Sequence, residues 1–465
     1  MMMPILERRS TIPHSKESVE SWYSSPAALR RMIPTWRKAT IEKDDSPRSA
    51  GKKIALRVNK MTGVWHWEYD FEHPSESPEA ESHAAGPFSE MQHRQGKNSI
   101  SVASDTSCVL SDRLDFDYPL GFLGERFFGR GVRDELEAVL HARQIRLSED
   151  LSRHLGDGPG RPLRIGVTGS SGLVGSALAN FLTCSGHQVV RFVRGGHSIP
   201  GNDQVRWDPS RGTIDTDRME GLDAMVHLAG AGIANERWSV ARRRMIRSSR
   251  VGGTMLLCSA LAALKDPPKV LVSASAIGYY GNTNEPVDET SAPGRGFLPD
   301  LCVEWEAVTS TAQNAGIRVV IPRIGVVLSP KGGALEKMLT PARMGMIGPV
   351  GSGEQGMSCI GLDDLVYLIH KVIGDESFSG PINAVAPDAV SQKDFAQILG
   401  GILGRPSVVP MPAKVVKMLF GEMGEKLLLE GNYVRPERIR ELGFRFSQPT
   451  IEEVLRLQLG RFISA

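Results

Sequence analysis

Three glycines follow directly on a short apolar strand pattern, Arg164–Val167, and they constrain this chain more than any other feature. Gly169 permits a tight turn from strand to helix, and Gly172 lets backbone N–H groups approach a pyrophosphate. Gly175 lets the following helix pack close to the strand. The segment therefore predicts a dinucleotide site, with the pyrophosphate at the N-terminus of that helix. Seven loop residues are expected to contact the dinucleotide: Gly169, Ser170, Ser171, Gly172, Leu173, Val174 and Gly175.

The residues after the glycines have the strand–turn–helix order that such a site requires. Ser176–Cys184 has the pattern of a helix, and Gln188–Val193 has that of a second strand. An NAD site usually places an acidic residue at the end of this strand, but here the chain has Arg194. Because a planar guanidinium suits a 2′-phosphate, we expect NADP(H) rather than NAD(H). Arg191 competes for the same role.

Charge and cysteine content argue against several other classes of protein. The 465 residues carry a net charge of +2 with dispersed Lys and Arg, so no nucleic-acid partner is expected. No apolar run approaches the length of a membrane span, and Met1–Ser10 lacks the apolar segment of a signal peptide. Five widely spaced cysteines without a C-x-x-C pair argue against disulfides and against a metal site. We expect a cytoplasmic protein with reduced thiols.

A Gly/Pro-rich segment at 156–162 separates two regions of different pattern and predicts a linker. In residues 1–155, short strands precede a long amphipathic helix at Gly129–Leu155, which suggests an α+β grip around a helix. In residues 163–390, strands and helices alternate, which predicts an α/β fold with a doubly wound parallel sheet of the Rossmann type. Residues 391–465 contain further helices and are expected to form a small C-terminal module on the substrate side.

Three segments of the downstream region resemble the extended short-chain dehydrogenase/reductase superfamily: Thr168–Gly175, Val226–Gly230 and Val272–Gly281. Further segments resemble its atypical branch of epimerase-family or cell-division-inhibitor-like proteins: Ser249–Thr254, Trp305-Glu306, Pro330–Ala334, Gly348–Gly353, Gly421–Met423, Leu429–Gly431 and Gly443–Phe446. The resemblance covers residues 164–460. It implies further cofactor contacts at Leu228, Ala229, Gly230, Ser273 and Arg323.

The upstream region resembles the START-like, polyketide-cyclase-like domain that is fused to this branch in some bacteria. The resemblance rests on four segments: Trp22–Trp36, Gly86–Phe88 with His93, Leu110–Arg113 and Pro119–Gly121. Such domains enclose an apolar cavity between sheet and helix, which implies a hydrophobic ligand. A scaffold or docking domain is the alternative, and both stay open.

Catalysis in this superfamily normally uses a Ser that hydrogen-bonds the substrate oxygen and a Tyr that transfers the proton. A Lys four residues after the Tyr lowers its pKa and holds the ribose. Ser275 occupies the Ser position. When Trp305-Glu306 is aligned with the helix of the family, Leu298 stands at the Tyr position and Cys302 at the Lys position. The usual acid–base pair is therefore absent.

Three explanations for the absent pair stay open. Tyr279 or Tyr280, which lie close to Ser275 in the sequence, supply the phenol and complete a catalytic set. Alternatively, the chemistry needs no Tyr–Lys pair. In the third explanation the fold binds nucleotide without turnover, since a phenol without a nearby cation is a poor base at neutral pH.

A further departure from the branch lies in Gln355–Asp364. Gly356, Cys359 and Gly361 replace the Trp, Trp and His of the branch, and this change is expected to open or weaken the substrate pocket. Asp363 and Asp364 begin a helix, where they are expected to cap it and complement its dipole rather than act as catalytic carboxylates.

We therefore expect an NADP(H)-binding oxidoreductase or epimerase-like protein that acts on an unidentified small-molecule substrate. The rival interpretation is a non-catalytic protein that senses NADP(H), with an N-terminal domain that binds a hydrophobic ligand or a partner. His227 follows an apolar strand and is expected to be a core histidine rather than a base.

Overall fold

The structure is a computed structural model that describes residues 5–44, 52–60, 63–71, 79–84, 93–115, 121–194 and 203–462. Two compact units divide the chain. The first contains Met1–Gly156, Thr183–Ser185 and Leu457–Ala465, and the second contains Asp157–Leu182 and Gly186–Arg456. The resemblance segments Gly86–Phe88 and Pro119-Leu120 lie outside the described residues.

Among the helices in these ranges, none combines the length and the apolar character that a crossing of the bilayer requires.

The first unit contains a seven-stranded antiparallel sheet in the order β1-β7-β6-β5-β4-β3-β2. Its strands are β1 (Ile5–Ile12), β2 (Lys38–Asp44), β3 (Lys52–Lys60), β4 (Gly63–Phe71), β5 (Glu79–Ala84), β6 (His93–Ser104) and β7 (Ser107–Asp115). Helices α1 (Lys16–Ser24) and α2 (Ala28–Met32) follow β1, and α3 (Gly121–Gly156) follows β7. The core of this unit is apolar and includes Trp22, Leu110, Leu147 and Leu151.

Helix α3 begins at Gly121, earlier than the Gly129 predicted from the apolar periodicity. Gly124, Gly129 and Gly131 lie in its first turns, and glycine disfavours a helix interior by about 1 kcal/mol per residue relative to alanine. The low helix propensity of these glycines is therefore the reason why the sequence pattern did not predict the first part of this helix.

The second unit is built on a nine-stranded sheet in the order β11-β10-β9-β8-β12-β13-β16-β14, with β20 paired to β16. Its strands are β8 (Arg164–Thr168), β9 (Gln188–Val193), β10 (Gln204–Asp208), β11 (Thr213–Ile214), β12 (Ala224–His227), β13 (Val270–Ser273), β14 (Ser275–Ala276), β16 (Arg318–Ile324) and β20 (Gly380–Ala384). All pairs are parallel except β10 with β11. The prediction of a Rossmann-type parallel sheet is confirmed.

Short strands pair outside this sheet: β15 (Pro286–Val287) with β22 (Tyr433–Val434), β17 (Val326–Leu328) with β19 (Cys359–Gly361), and β18 (Gly356–Met357) with β21 (Val390–Ser391). The helices of the second unit are α4 (Leu173–Cys184), α5 (Val240–Arg247), α6 (Gly253–Ala262), α7 (Phe297–Ala307), α8 (Ser310–Asn314), α9 (Gly333–Arg343), α10 (Leu362–Gly374), α11 (Gln392–Leu403), α12 (Ala413–Gly424), α13 (Glu437–Glu441) and α14 (Ile451–Leu459). A π-helical turn, Ser248–Gly252, joins α5 to α6.

The register of the parallel strands places the candidate site residues along one edge of the sheet. At the carboxyl ends of these strands, His227 on β12 lies between Thr168 on β8 and Ser273 on β13. Ser275 on β14 lies opposite Arg323 on β16, which in turn lies opposite Asn383 on β20. Ligands of open parallel sheets bind at this carboxyl edge, where helix N-termini and loops converge.

Candidate active site

The glycine loop between β8 and α4 has the backbone geometry that its sequence predicts. Gly169 has φ +65, and a Cβ there would lie 2.9 Å from the backbone carbonyl of Leu228. A Cβ at Gly175 would overlap the carbonyl oxygen of Gly169, so this glycine is what lets α4 pack against the loop. At Gly172 the situation differs, because among the described residues only the Gly169 oxygen, at 3.2 Å, lies near such a Cβ. The exposed side of Gly172 is thus open for a ligand.

A buried network of side chains holds the loop to the neighbouring strand. The Oγ1 of Thr168 accepts hydrogen bonds from the backbone N–H groups of Leu228 and Ala229, at 3.1 and 3.2 Å. Its own proton therefore points to Nδ1 of His227, 2.8 Å away, and Nε2 of His227 donates to Thr254 over 3.0 Å. Complete burial lowers the pKa of His227 to about 4. The expectation of a core histidine with hydrogen-bond partners is confirmed.

Two arginines belong to this region, Arg191 within β9 and Arg194 directly after it. The Nη1 of Arg191 donates to the backbone carbonyl of Ser170 over 3.4 Å, so this side chain reaches the loop itself. Arg194 is exposed directly after the last strand residue. Arg194 is thus placed at the strand end where the cofactor's 2′ position is recognised in such folds.

Ser275, the candidate catalytic serine, is held by an ion pair that the sequence alone did not reveal. Its hydroxyl donates to Oε1 of Glu306 over 2.6 Å. Arg323 binds the same carboxylate with two bonds, from Nε at 2.9 Å and from Nη2 at 2.8 Å. The side chains of Arg323 and Glu306 are only 4% and 12% exposed. Burial alone would lower the pKa of Arg323, but the bonds and charge of Glu306 outweigh it and raise that pKa.

The two candidate tyrosines occupy different environments. Tyr280 is buried, its hydroxyl donates to Oδ1 of Asn383 over 2.7 Å, and it accepts from Nη1 of Arg323 over 3.0 Å. Burial raises the pKa of Tyr280 to about 12. Tyr279 is half-buried, and the Arg323 guanidinium lies 3.5 Å from the centre of its ring. A cation thus lies against the face of the Tyr279 ring.

Leu298 and Cys302 face the loop after β14 from helix α7, consistent with the alignment at the Tyr and Lys positions. A Cβ at Gly278 would lie 3.5 Å from Cβ of Leu298 and 3.9 Å from Sγ of Cys302. The Cys302 thiol donates to the carbonyl of Ala276 over 3.7 Å. Burial, with Glu306 nearby, raises the pKa of Cys302 to about 12. This thiol is therefore protonated at neutral pH and provides no positive charge.

The expectation that Gly356 opens the substrate pocket is wrong. A Cβ at this position would lie 2.5 Å from the backbone carbonyl of Asn432 and 2.7 Å from the Tyr433 ring. The C-terminal segment thus packs directly on Gly356 and fills the space that a larger residue would need. Cys359 is completely buried, and a Cβ at Gly361 would lie 3.3 Å from Oε1 of Gln448. The glycines bring chain segments together here instead of leaving an opening.

The expected capping role of the acidic pair is also wrong for Asp364. Helix α10 begins at Leu362 without a side-chain cap. The two carboxylate oxygens of Asp364 instead accept from the backbone N–H groups of Ser447 and Gln448, at 2.8 and 3.0 Å. Asp363 and Asp364 are both buried in the first turn. Asp364 therefore anchors the C-terminal segment, and sequence distance hid this role because its partners lie more than eighty residues away.

Sequence reasoning missed two polar residues of the site, Glu306 and Asn383. Glu306 lies 31 positions from Ser275, and Asn383 lies 103 positions from Tyr280. Glu306 was visible only as part of the Trp305-Glu306 resemblance, and no local signal marked Asn383.

Comparison with known proteins agrees with this architecture. Residues 165–383 match the NAD dependent epimerase/dehydratase family, and residues 411–457 match a domain of unknown function, DUF1731. An epimerase family protein of Mycobacterium tuberculosis is 40% identical over 293 residues, which cover 63% of this chain and 96% of that protein.

Two solved structures are similar. A nucleoside-diphosphate sugar epimerase from Corynebacterium glutamicum has 28% identity and a TM-score of 0.76, and the match covers 98% of this chain and 90% of that one. The human epimerase family protein SDR39U1, solved with NADPH, has 33% identity and a TM-score of 0.59. That match covers 64% of this chain and 100% of the human one. Because the bacterial relative is matched over nearly its whole length, this chain belongs to the epimerase family.

Proposed function

We propose that this chain binds NADP(H) and catalyses an oxidation–reduction or an epimerisation of a small molecule. The observation that carries the proposal is the carboxyl edge of the parallel sheet, where the glycine loop follows β8 and the Ser275–Glu306–Arg323 network lies at β14 and β16 of the same sheet. The human relative solved with NADPH supports the choice of cofactor. A bound nicotinamide accepts or donates a hydride, and the residues of the chain bind the substrate and handle its oxygen-bound proton.

The residues present fit such a cofactor. The open side of Gly172 and the N-terminus of α4 suit a pyrophosphate, because backbone N–H groups and the helix dipole favour anions there. Among the described residues the buried hydroxyl of Ser273 has no hydrogen-bond partner, and it lies at the same sheet edge. Such an unpaired polar group suits a ligand oxygen or nitrogen, since burial without a partner costs free energy. The predicted contacts at Leu228, Ala229, Gly230 and Arg323 stay part of this proposal.

We assign the polarisation of the substrate oxygen to Ser275 and the proton transfer to Tyr279. The hydroxyl of Tyr280 is already bonded to Asn383 and Arg323, and its raised pKa disfavours release of a proton. In the absence of substrate, the proton of Ser275 points to Glu306. It would turn to a substrate oxygen while Glu306 keeps both bonds to Arg323.

Ser275→Ala is expected to lower kcat by about 10- to 1000-fold, because it removes a hydrogen bond that polarises the reacting oxygen. Cys302→Ala is the matched variant on the facing helix and is expected to change kcat little. Reduction is followed through NADPH absorbance with a panel of carbonyl compounds, and epimerisation, which consumes no NADPH, is followed by chromatography of nucleoside-diphosphate sugars. Loss of turnover in Cys302→Ala with intact cofactor binding would make the thiol a catalytic group. Tight NADPH binding without turnover on any compound would favour the non-catalytic interpretation.

Arg194→Ala is expected to weaken NADPH binding by about 10- to 100-fold and to leave the affinity for NADH nearly unchanged, since a charge-assisted hydrogen bond contributes about 1.5–3 kcal/mol. Isothermal titration calorimetry with both cofactors measures the difference between the affinities for NADPH and NADH. Arg211→Ala is the control, because this exposed arginine is already paired with Asp208 on the surface. Equal affinities of the wild type for NADPH and NADH would contradict the assignment.

We also propose that residues 1–155 form a START-like domain that binds a hydrophobic ligand, joined through a linker at 156–162 to residues 163–390 and 391–465. Support comes from the order of its elements, with one long helix after seven antiparallel strands, and from the apolar core of the described residues. Native mass spectrometry of the full chain incubated with a lipid extract is expected to show a one-to-one apolar adduct. Binding of a protein partner without any such adduct would favour the docking alternative.

A cytoplasmic location is the last part of the proposal. All five cysteines are free thiols and all are buried, which suits a reducing compartment. Fractionation of cells that express the tagged chain tests this location, and recovery from an exported fraction would contradict it.

A further inference from the structure

Arg250 lies in the π-helical turn Ser248–Gly252 between α5 and α6, a type of irregularity that is frequent at functional sites. Its Nη1 donates to the carbonyls of Ala231, at 3.0 Å, and Ile246, at 3.4 Å. Ser249 fixes the same region, because its hydroxyl accepts from the Ala231 N–H over 3.1 Å. The turn therefore aims the guanidinium at the segment that follows β12.

The guanidinium lies between the predicted cofactor segment and the position of the missing lysine. On one side, a Cβ at Gly230 would lie 3.3 Å from Cζ of Arg250, so the cation packs against the backbone of that glycine. On the other side, Cζ lies 5.3 Å from the centre of the Trp305 ring. Trp305 stands three residues after Cys302 on α7, and residues so spaced share one face of a helix. Arg250 is thus next to the place that the superfamily's lysine would occupy.

This cation is not neutralised by any residue that the structure describes. Among the described residues Arg250 has no carboxylate partner, and its Nε and Nη2 atoms have no hydrogen-bond partner. Burial and the like charge of Arg242 lower the pKa of Arg250. Arg323, the other buried cation of the site, is by contrast neutralised by Glu306. A partly buried guanidinium with two unused nitrogens favours an incoming group rich in oxygen acceptors.

We propose that Arg250 replaces the superfamily's lysine on the cofactor side: its guanidinium holds oxygen atoms of the ribose that carries the nicotinamide. This inference rests on the NADP(H) site proposed above. It explains why the helix α7 tolerates a neutral cysteine at position 302, since the positive charge reaches the same place from the turn before α6. In this role Arg250 positions the cofactor and transfers no proton.

The experiment compares two ligands on the full-length chain by calorimetry. NADPH carries the nicotinamide ribose, whereas adenosine 2′,5′-bisphosphate carries only the adenine half with its 2′-phosphate. Arg250→Met is expected to weaken the affinity for NADPH by about 10- to 100-fold, the size of one charge-assisted hydrogen bond, and to leave the affinity for the bisphosphate within about twofold of the wild type. Arg250→Lys is expected to keep the affinity for NADPH within about fivefold of the wild type, because the positive charge remains. Arg247→Met is the control. Arg247 is an exposed arginine on the preceding helix that pairs with Glu304, and its replacement is expected to change the affinity for neither ligand.

Unchanged NADPH affinity in Arg250→Met would overturn the proposal, and so would an equal loss for both ligands. If Arg250→Lys loses as much NADPH affinity as Arg250→Met, Arg250 acts by stacking on Trp305 and not through its positive charge. If Arg250→Met fails to fold, Arg250→Gln retains a donor for the Ala231 carbonyl and is tested with the same two ligands. A wild type that binds neither ligand would contradict the proposed NADP(H) site itself, and this inference with it.

Discussion

Gly172→Val is expected to abolish NADPH binding, with a loss of affinity on the order of 10³-fold, while the protein stays folded. The physical reason is the one-sided environment of this glycine. Apart from its own chain neighbours, only the Gly169 carbonyl oxygen among the described residues lies within 4 Å of the position of a Cβ. A branched side chain would therefore point to the open side and occupy the place of the pyrophosphate. Loss of two charge-assisted hydrogen bonds, at about 1.5–3 kcal/mol each, gives the expected size.

Calorimetric titration measures this loss, and circular dichroism shows that the variant is folded. Gly401→Val is the matched control, because Gly401 lies in helix α11 with no described atom near its Cβ position. It is expected to stabilise the helix slightly, because valine has a higher helix propensity than glycine, and to leave NADPH affinity unchanged. A folded Gly172→Val protein that binds NADPH within tenfold of the wild type would place the pyrophosphate elsewhere.

Glu306→Gln is expected to lower the free energy of unfolding by about 3–5 kcal/mol, because it leaves the buried Arg323 without its counter-charge. The geometry of this pair is bidentate, with both bonds below 3.0 Å, and the arginine side chain is only 4% exposed. The variant also weakens the hydrogen bond that orients Ser275. Urea denaturation at neutral pH measures the change.

Glu304→Gln provides a control on the same helix, two residues earlier. Glu304 pairs with Arg247 at the surface, where the two side chains are 37% and 60% exposed. Such exposed pairs contribute about 0–1 kcal/mol, so this variant is expected to unfold nearly like the wild type. Similar losses in the two variants would show that the Glu306–Arg323 pair stabilises the protein no more than a surface pair does.

Local sequence patterns predicted the glycine loop and the strands beside it almost to the residue. The first strand was expected at Arg164–Val167 and spans Arg164–Thr168. Such patterns succeed because a tight turn, an apolar strand and a helix start each depend on neighbouring residues. Where local propensity opposed the structure, as at the glycines that begin α3, the predicted boundary was wrong.

The partners of the polar residues were beyond sequence reasoning. Gly356 was expected to widen a pocket, yet Asn432 packs on it from a distant part of the chain. Asp364 was expected to cap its own helix, yet it binds Ser447 and Gln448. In both cases the contact joins segments that the fold brings together, and no local pattern marks such a contact.

The sequence by itself determined the parallel α/β architecture, the glycine loop at Gly169–Gly175 and the absence of the usual Tyr–Lys pair, because these depend on periodicity and on short motifs. Only the tertiary structure decided which charged side chains form ion pairs. Strand order places Arg323 beside Ser275, and helix α7 then supplies Glu306 to both. The π-helical turn likewise brings Arg250 against Trp305, next to the position of the missing lysine. The order of strands in a sheet is a long-range property, so the ion pairs along its edge follow from the fold and not from their neighbours in sequence.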